Sequence, residues 1–233
     1  MKTYNFSAGP ACLPESVLVS ASKASKEYKG KGMSLMEMSH RSTPVVELFE
    51  DTTERIKSLL AIPSNYHVLW LQGGASTQFS MVPLNLLPEG GVADYLETGS
   101  WSTKAIAECN KVGTAHMIGS SKNVTFNFIP KDYEQNSDSS YFHITSNNTI
   151  YGTQYKVFPK VKNPDGFLVA DMSSDILSKS IDVSEFGLIY AGAQKNMGSA
   201  GVTMVIIRDD LVGKNYRELP TMLNYEVHVK KDS

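Results

Sequence analysis

Seven short apolar or β-rich runs, at residues 66–71, 93–96, 115–118, 141–145, 167–170, 188–191 and 202–207, restrict the possible folds of this chain more than any other feature. Their length and composition read as strands buried on both faces. Helix-compatible stretches at 76–87 and 103–112 fall between some of them, which is the βαβ rhythm of a mostly parallel sheet. The pattern predicts an α/β fold, a three-layer α/β/α sandwich, as one domain over residues 1–233.

Ahead of the strands, Val17, Leu18, Ala21, Ala24 and Tyr28 recur at helical spacing over residues 15–28, up to a Gly30/Gly32 stop. A second helix is expected after Thr43, with Val45, Leu48, Phe49, Ile56 and Leu59 on one stripe, Pro44 in its first turn and Pro63 beyond its end. Residues 130–140 read as a surface loop, and after Arg208 the pattern thins without a clear closing element. A net charge of −2 gives no electrostatic case for nucleic acid or an anionic membrane. Cys12 and Cys109 are too few and too far apart for a disulfide framework or a metal cluster. With no apolar signal core at the start and no membrane-length apolar run, the expected compartment is the cytoplasm.

The chemistry gathers where strands end. Lys195, in the run LIYAGAQKNMGSAG at 188–201, follows an apolar strand among small residues. A lysine in such a pocket loses solvation, which lowers its pKa and frees the neutral amine needed to condense with an aldehyde. Asp171 closes the strand before it, so a carboxylate and an amine end neighbouring strands on the edge where open α/β sheets bind ligands. Gly73 and Gly74 form a turn leading into a helix, where free N–H groups and the hydroxyls of Ser76 and Thr77 suit a phosphate; the alternative is an ordinary turn with a serine N-cap. Trp101 offers a flat face for a heteroaromatic ring or a core side chain, and Thr149 a donor to a phenolic oxygen or plain turn chemistry. A phosphate cradle, a stacking ring, a hydroxyl, a carboxylate and an amine together match the needs of pyridoxal phosphate (PLP).

Seven motifs then line up in order: NFSAGPA at 5–11, MSHRS at 38–42, GGASTQF at 73–79, GSW at 99–101, NTI at 148–150, VADMSS at 169–174 and YAGAQKN at 190–196. In this the chain resembles the phosphoserine aminotransferases, class V PLP enzymes of fold type I, nearly end to end. The resemblance implies that Lys195 condenses with the cofactor aldehyde and Asp171 pairs with the ring nitrogen. It implies that Trp101 stacks on the ring, that Thr149 meets the ring hydroxyl, and that Ala75, Ser76 and Gln194 hold the phosphate. Ser7, His40 and Arg41 would face the substrate. The implied reaction moves an amino group from L-glutamate to the phosphorylated 2-oxo acid 3-phosphohydroxypyruvate, in serine biosynthesis, by a homodimer. Some bacterial members also use a phosphorylated threonine precursor in making the cofactor.

Two departures from the family stand out. Ser76 occupies a place where some members carry arginine. Members also run well past 300 residues, with a C-terminal domain that supplies a further substrate-binding arginine and an Asn-Thr pair for the partner's cofactor phosphate. The expectation is therefore a large cofactor domain without that small domain, with a cofactor pocket but little turnover. The rivals are a cysteine desulfurase or another class V enzyme, and a truncated binding or dimerisation module. Trp101, and the lack of a cysteine after Cys109, count against a desulfurase.

Overall fold

Strands β1 (Tyr66–Leu71), β2 (Val92–Glu97), β3 (Thr114–Ser120), β4 (Tyr141–Thr145), β7 (Phe167–Asp171), β8 (Phe186–Gly192) and β9 (Thr203–Arg208) join one sheet in the order β1-β9-β8-β7-β4-β2-β3. A two-stranded ribbon, β5 (Asn147–Asn148) with β6 (Thr153–Gln154), follows β4. The structure is a computed structural model and describes residues 3–214 and 216–232. Four pairings, β2 with β3, β2 with β4, β4 with β7 and β7 with β8, are parallel. β9 runs against both β8 and β1, so β1 points the same way as β8. The C-terminal ends of β1, β2, β4, β7 and β8 therefore share one edge, and β9 begins there.

Alternation along each strand divides the core in two. Tyr141, Val169, Leu188, Tyr190 and Val205 face the side covered by α3 (Gly74–Leu86), α4 (Ser100–Cys109) and α5 (Tyr225–Lys230). Phe142, Leu168, Phe186, Ile189 and Ile206 face the other side, covered by the C-terminal half of α2 (Thr43–Leu60) and by loop residues such as Tyr155 and Ile176. The layering is thus α/β/α, with loops completing one outer layer. Each large apolar side chain fully buried in these rows is worth roughly 1.5–3 kcal/mol, so the strand ends are held from below on both faces.

Three sequence expectations change. β3 is not buried on both faces: it pairs only with β2 at the sheet edge, and Met117 is half exposed. The first helix, α1 (Glu15–Ala24), ends four residues early in a turn at Ser25, and none of its residues is buried, so its apolar stripe has no cover among the described residues. On α2, Val45, Ile56 and Leu60 are buried, whereas Phe49 and Leu59 are exposed. The thinning tail does close part of the core. Tyr225 donates from its hydroxyl to Gln78 Oε1 (2.6 Å) and from its backbone to Asn85 Oδ1 (3.0 Å), pinning α5 against α3. No helix among the described residues is long and apolar enough to cross a membrane.

Candidate active site

Asp171 and Lys195 approach each other because β7 and β8 are adjacent and parallel. Asp171 is the last residue of β7, almost fully buried, with Tyr190 beside it in register on β8. Below it the Tyr190 hydroxyl and His143 Nε2 share a hydrogen bond of 2.9 Å, and His143 stacks on Tyr95 at 4.8 Å. Burial pushes His143 down to about 3, so this floor is a dry layer of neutral rings. Burial also raises the Asp171 carboxyl above the ordinary range, against the pull of two Ser173 donors and the Lys195 charge.

Lys195 is half-buried three residues past β8. Burial holds its amine below the ordinary lysine value, and the Asp171 charge offsets part of that. Its Nζ donates to Thr149 Oγ1 and lies 5.9 Å from the centroid of the Trp101 ring system. The N-terminal segment crosses this lysine: a Cβ on Gly9 would fall 3.2 Å from Lys195 Cγ, and Ala11 N–H donates to the Gln194 carbonyl (2.8 Å).

Trp101 is placed by the turn between β2 and α4. Thr98 N–H and Gly99 N–H both donate to Ser102 Oγ, at 2.9 and 3.1 Å. Asn148 Nδ2 donates to the Thr98 carbonyl (2.5 Å), and a Cβ on Gly99 would fall 2.4 Å from that nitrogen. Asn148 thus locks the Trp101 turn to the loop that carries Thr149.

The turn after β1 gives a cradle. Gly73 (φ +87°) and Gly74 (φ +67°) occupy the left-handed region, and α3 opens on Gly73 without a side-chain cap. Ser76 is therefore the third helical residue, not the N-cap. The backbone N–H groups of Ala75 and Ser76 have no acceptor among the described residues, as expected of a helix start poised for an anion. Gln194 closes this space: a Cβ on Gly192 would fall 2.8 Å from Gln194 Oε1 and 3.6 Å from Ala75 N. On Gly73 a Cβ would fall 2.0 Å from Thr77 Oγ1. Gly73→Ala is accordingly expected to cost about 1–3 kcal/mol in urea unfolding, from strained backbone and displacement of Thr77.

Of the residues singled out in the sequence, Asp171, Lys195, Trp101, Thr149, Ala75 and Gln194 converge, with Ser76 on the rim. Ser7 is exposed, two residues before the Gly9 crossing. His40 and Arg41 stand exposed in the turn before α2, and neither side chain has a hydrogen bond or ion pair among the described residues. In the sequence Ser173 and Asn148 stand out only as members of motifs, with no role, and Thr203 is not singled out. Thr203 Oγ1, Thr98 Oγ1, Thr145 Oγ1 and Trp101 Nε1 are buried without partners among the described residues, and all belong to this same edge.

An open sheet that sets an amine, a carboxylate, an indole and an uncapped helix start along one edge is built to hold a small, ring-bearing anion. Comparison with known proteins fits that geometry. The aminotransferase class-V profile matches residues 3–221, and the chain belongs to that family. It is 51% identical over 234 residues to the phosphoserine aminotransferase of Geobacillus kaustophilus, covering 100% of this chain and 64% of that protein. Its fold is similar to the phosphoserine aminotransferase from Bacillus circulans subsp. alkalophilus, with a TM-score of 0.94, 46% identity, and coverage of 100% of this chain and 64% of that one. It is also similar to PLP-bound phosphoserine aminotransferase from Trichomonas vaginalis, with a TM-score of 0.92, 36% identity, and coverage of 99% and 65%. The chain thus spans about 64% of the length of the curated relatives it matches.

Proposed function

We propose that this chain is the cofactor-binding part of a PLP-dependent transaminase that moves an amino group from L-glutamate to 3-phosphohydroxypyruvate, giving O-phospho-L-serine and 2-oxoglutarate. The observation that carries this reading is the half-buried amine of Lys195, bonded to Thr149, within the electrostatic influence of the buried Asp171 and 5.9 Å from the centroid of the Trp101 ring system. The residues present fit the cofactor: among the described residues the glycine cradle has free N–H groups, and unpartnered polar atoms cluster at the same edge. Bound there, PLP would supply an aldehyde that condenses with amines and a ring that takes up electrons from the substrate α-carbon.

The chain's own residues divide the remaining work. Lys195 Nζ is the base and acid, able to take a proton from the substrate carbon and return it elsewhere, and burial lowers its value toward the range where a neutral amine is accessible. Asp171 would pair with the ring nitrogen, and a protonated nitrogen there would offset the burial that raises the carboxyl. Trp101 gives a stacking face worth about 1 kcal/mol, and Thr149 orients both the lysine and the ring oxygen. Ala75, Ser76 and Gln194 hold the phosphate. With serine at 76 this cradle relies on N–H donors and the helix start, without a side-chain cation. Ser7, His40 and Arg41 are assigned to the substrate, Arg41 for its fork of donors to carboxylate or phosphate. A second copy of the chain completes the reading, giving cover to the exposed Phe6, Val17 and Leu18, and the compartment is the cytoplasm.

The test is the near-visible absorption of the purified chain after loading with PLP and desalting, with borohydride added to one sample and glutamate to another. A yellow band that borohydride bleaches while leaving the cofactor attached at Lys195, and that glutamate discharges in the second sample with release of 2-oxoglutarate, supports the reading. A chain that is colourless after loading and desalting overturns it.

A further inference from the structure

Ser173 joins the two strands that carry the chemistry. Its hydroxyl donates to Asp171 Oδ1 (2.6 Å) and its backbone N–H donates to the same oxygen (3.0 Å). The hydroxyl in turn accepts from Gly192 N–H (3.1 Å), at the end of β8 and three residues before Lys195. Asp171 Oδ2 has no hydrogen bond among the described residues. An Asp oxygen accepting from the residue two positions on is ordinary turn chemistry. The bond from Gly192 is not, because it comes from another strand and occupies one acceptor site of the hydroxyl, while the single proton of that hydroxyl goes to Asp171.

We propose that Ser173 is a positioning residue for Asp171: it fixes Oδ1, leaves Oδ2 free for the ligand, and ties that orientation to the strand leading to Lys195. The inference rests on the reading of the site given above. The other titratable groups acting on Asp171 are Lys195 and Asp175, with the Tyr190 hydroxyl close on β8. All three remain when Ser173 is changed, so an effect at Asp171 reports the lost donor.

Two measurements on the 233-residue chain decide it: the titration of Asp171 followed by NMR of ¹³C-labelled aspartate without cofactor, and PLP affinity from quenching of tryptophan fluorescence. The variants are Ser173→Ala, Ser173→Val and Ser173→Thr. Loss of a hydroxyl donor to a buried carboxylate is expected to move the Asp171 midpoint up by about one pH unit and to weaken PLP binding about tenfold in the Ala and Val chains. Threonine, which keeps the hydroxyl, is expected to restore both. Should the alanine chain fail to fold, the Thr and Val pair carries the comparison, since they differ only by hydroxyl against methyl. An Asp171 midpoint unchanged between parent and Ser173→Val overturns the inference. A parent chain that binds no PLP sinks the proposed function instead, and the NMR titration still decides the role of Ser173.

Discussion

Lys195→Ala is expected to slow release of 2-oxoglutarate from glutamate by at least about 10³-fold in single-turnover experiments on the PLP-loaded chain, the scale of a positioned acid–base group. The mass increase that borohydride fixes on the parent should vanish as well. Arginine at 195 is not expected to rescue either effect, because a guanidinium keeps its proton and offers no neutral nitrogen. The pH dependence follows from the site. Burial lowers the Lys195 value, so the neutral fraction, and with it capture of PLP, is expected to rise with pH at a midpoint below that of an ordinary lysine. The urea midpoint is the control for folding, because removal of the half-buried amine takes a hydrogen bond from the Thr149 hydroxyl and a favourable charge from Asp171. An alanine chain that releases 2-oxoglutarate at the parental rate would remove Lys195 from the mechanism.

Much of this was legible in the sequence for a topological reason. Short apolar runs identify strands, and once most of them are parallel their ends share an edge, so Asp171, Lys195, Trp101, Thr149 and the Gly73 turn had to converge whatever the details. Other features depend on contacts between distant segments, which periodicity does not encode. The apolar stripe of α1 shows a face but not what covers it, and the exposure of β3 depends on its place in the sheet. Gly99 reads as a turn glycine until Asn148, 49 positions away, is seen to need the space a side chain would fill. Ser173 in VADMSS looks like a strand-end serine, and only its bond with Gly192 reveals the link. His40 and Arg41 came from family resemblance alone, and their roles rest on it.

Asp171 supplies the second large effect. Asp171→Asn keeps the shape and an acceptor for Ser173 but removes the charge, and the half-reaction is expected to fall by about 10²–10³-fold, as when a fixed electrostatic group is taken from a dry site. Asp171→Ala should do no better, and Asp171→Glu should fail too, because a nearly fully buried side chain above the Tyr190 and His143 floor has no room for another methylene. Charge and geometry can be separated by the amine. The Asp171 charge raises the Lys195 value against burial, so with Asn at 171 the pH midpoint for PLP capture is expected to fall further below that of the parent. A slow half-reaction with that downward shift places the carboxylate in electrostatic contact with both partners. A slow half-reaction with an unmoved midpoint would mean that the substitution had disturbed the packing of the site, and parental behaviour in both would remove Asp171 from the chemistry.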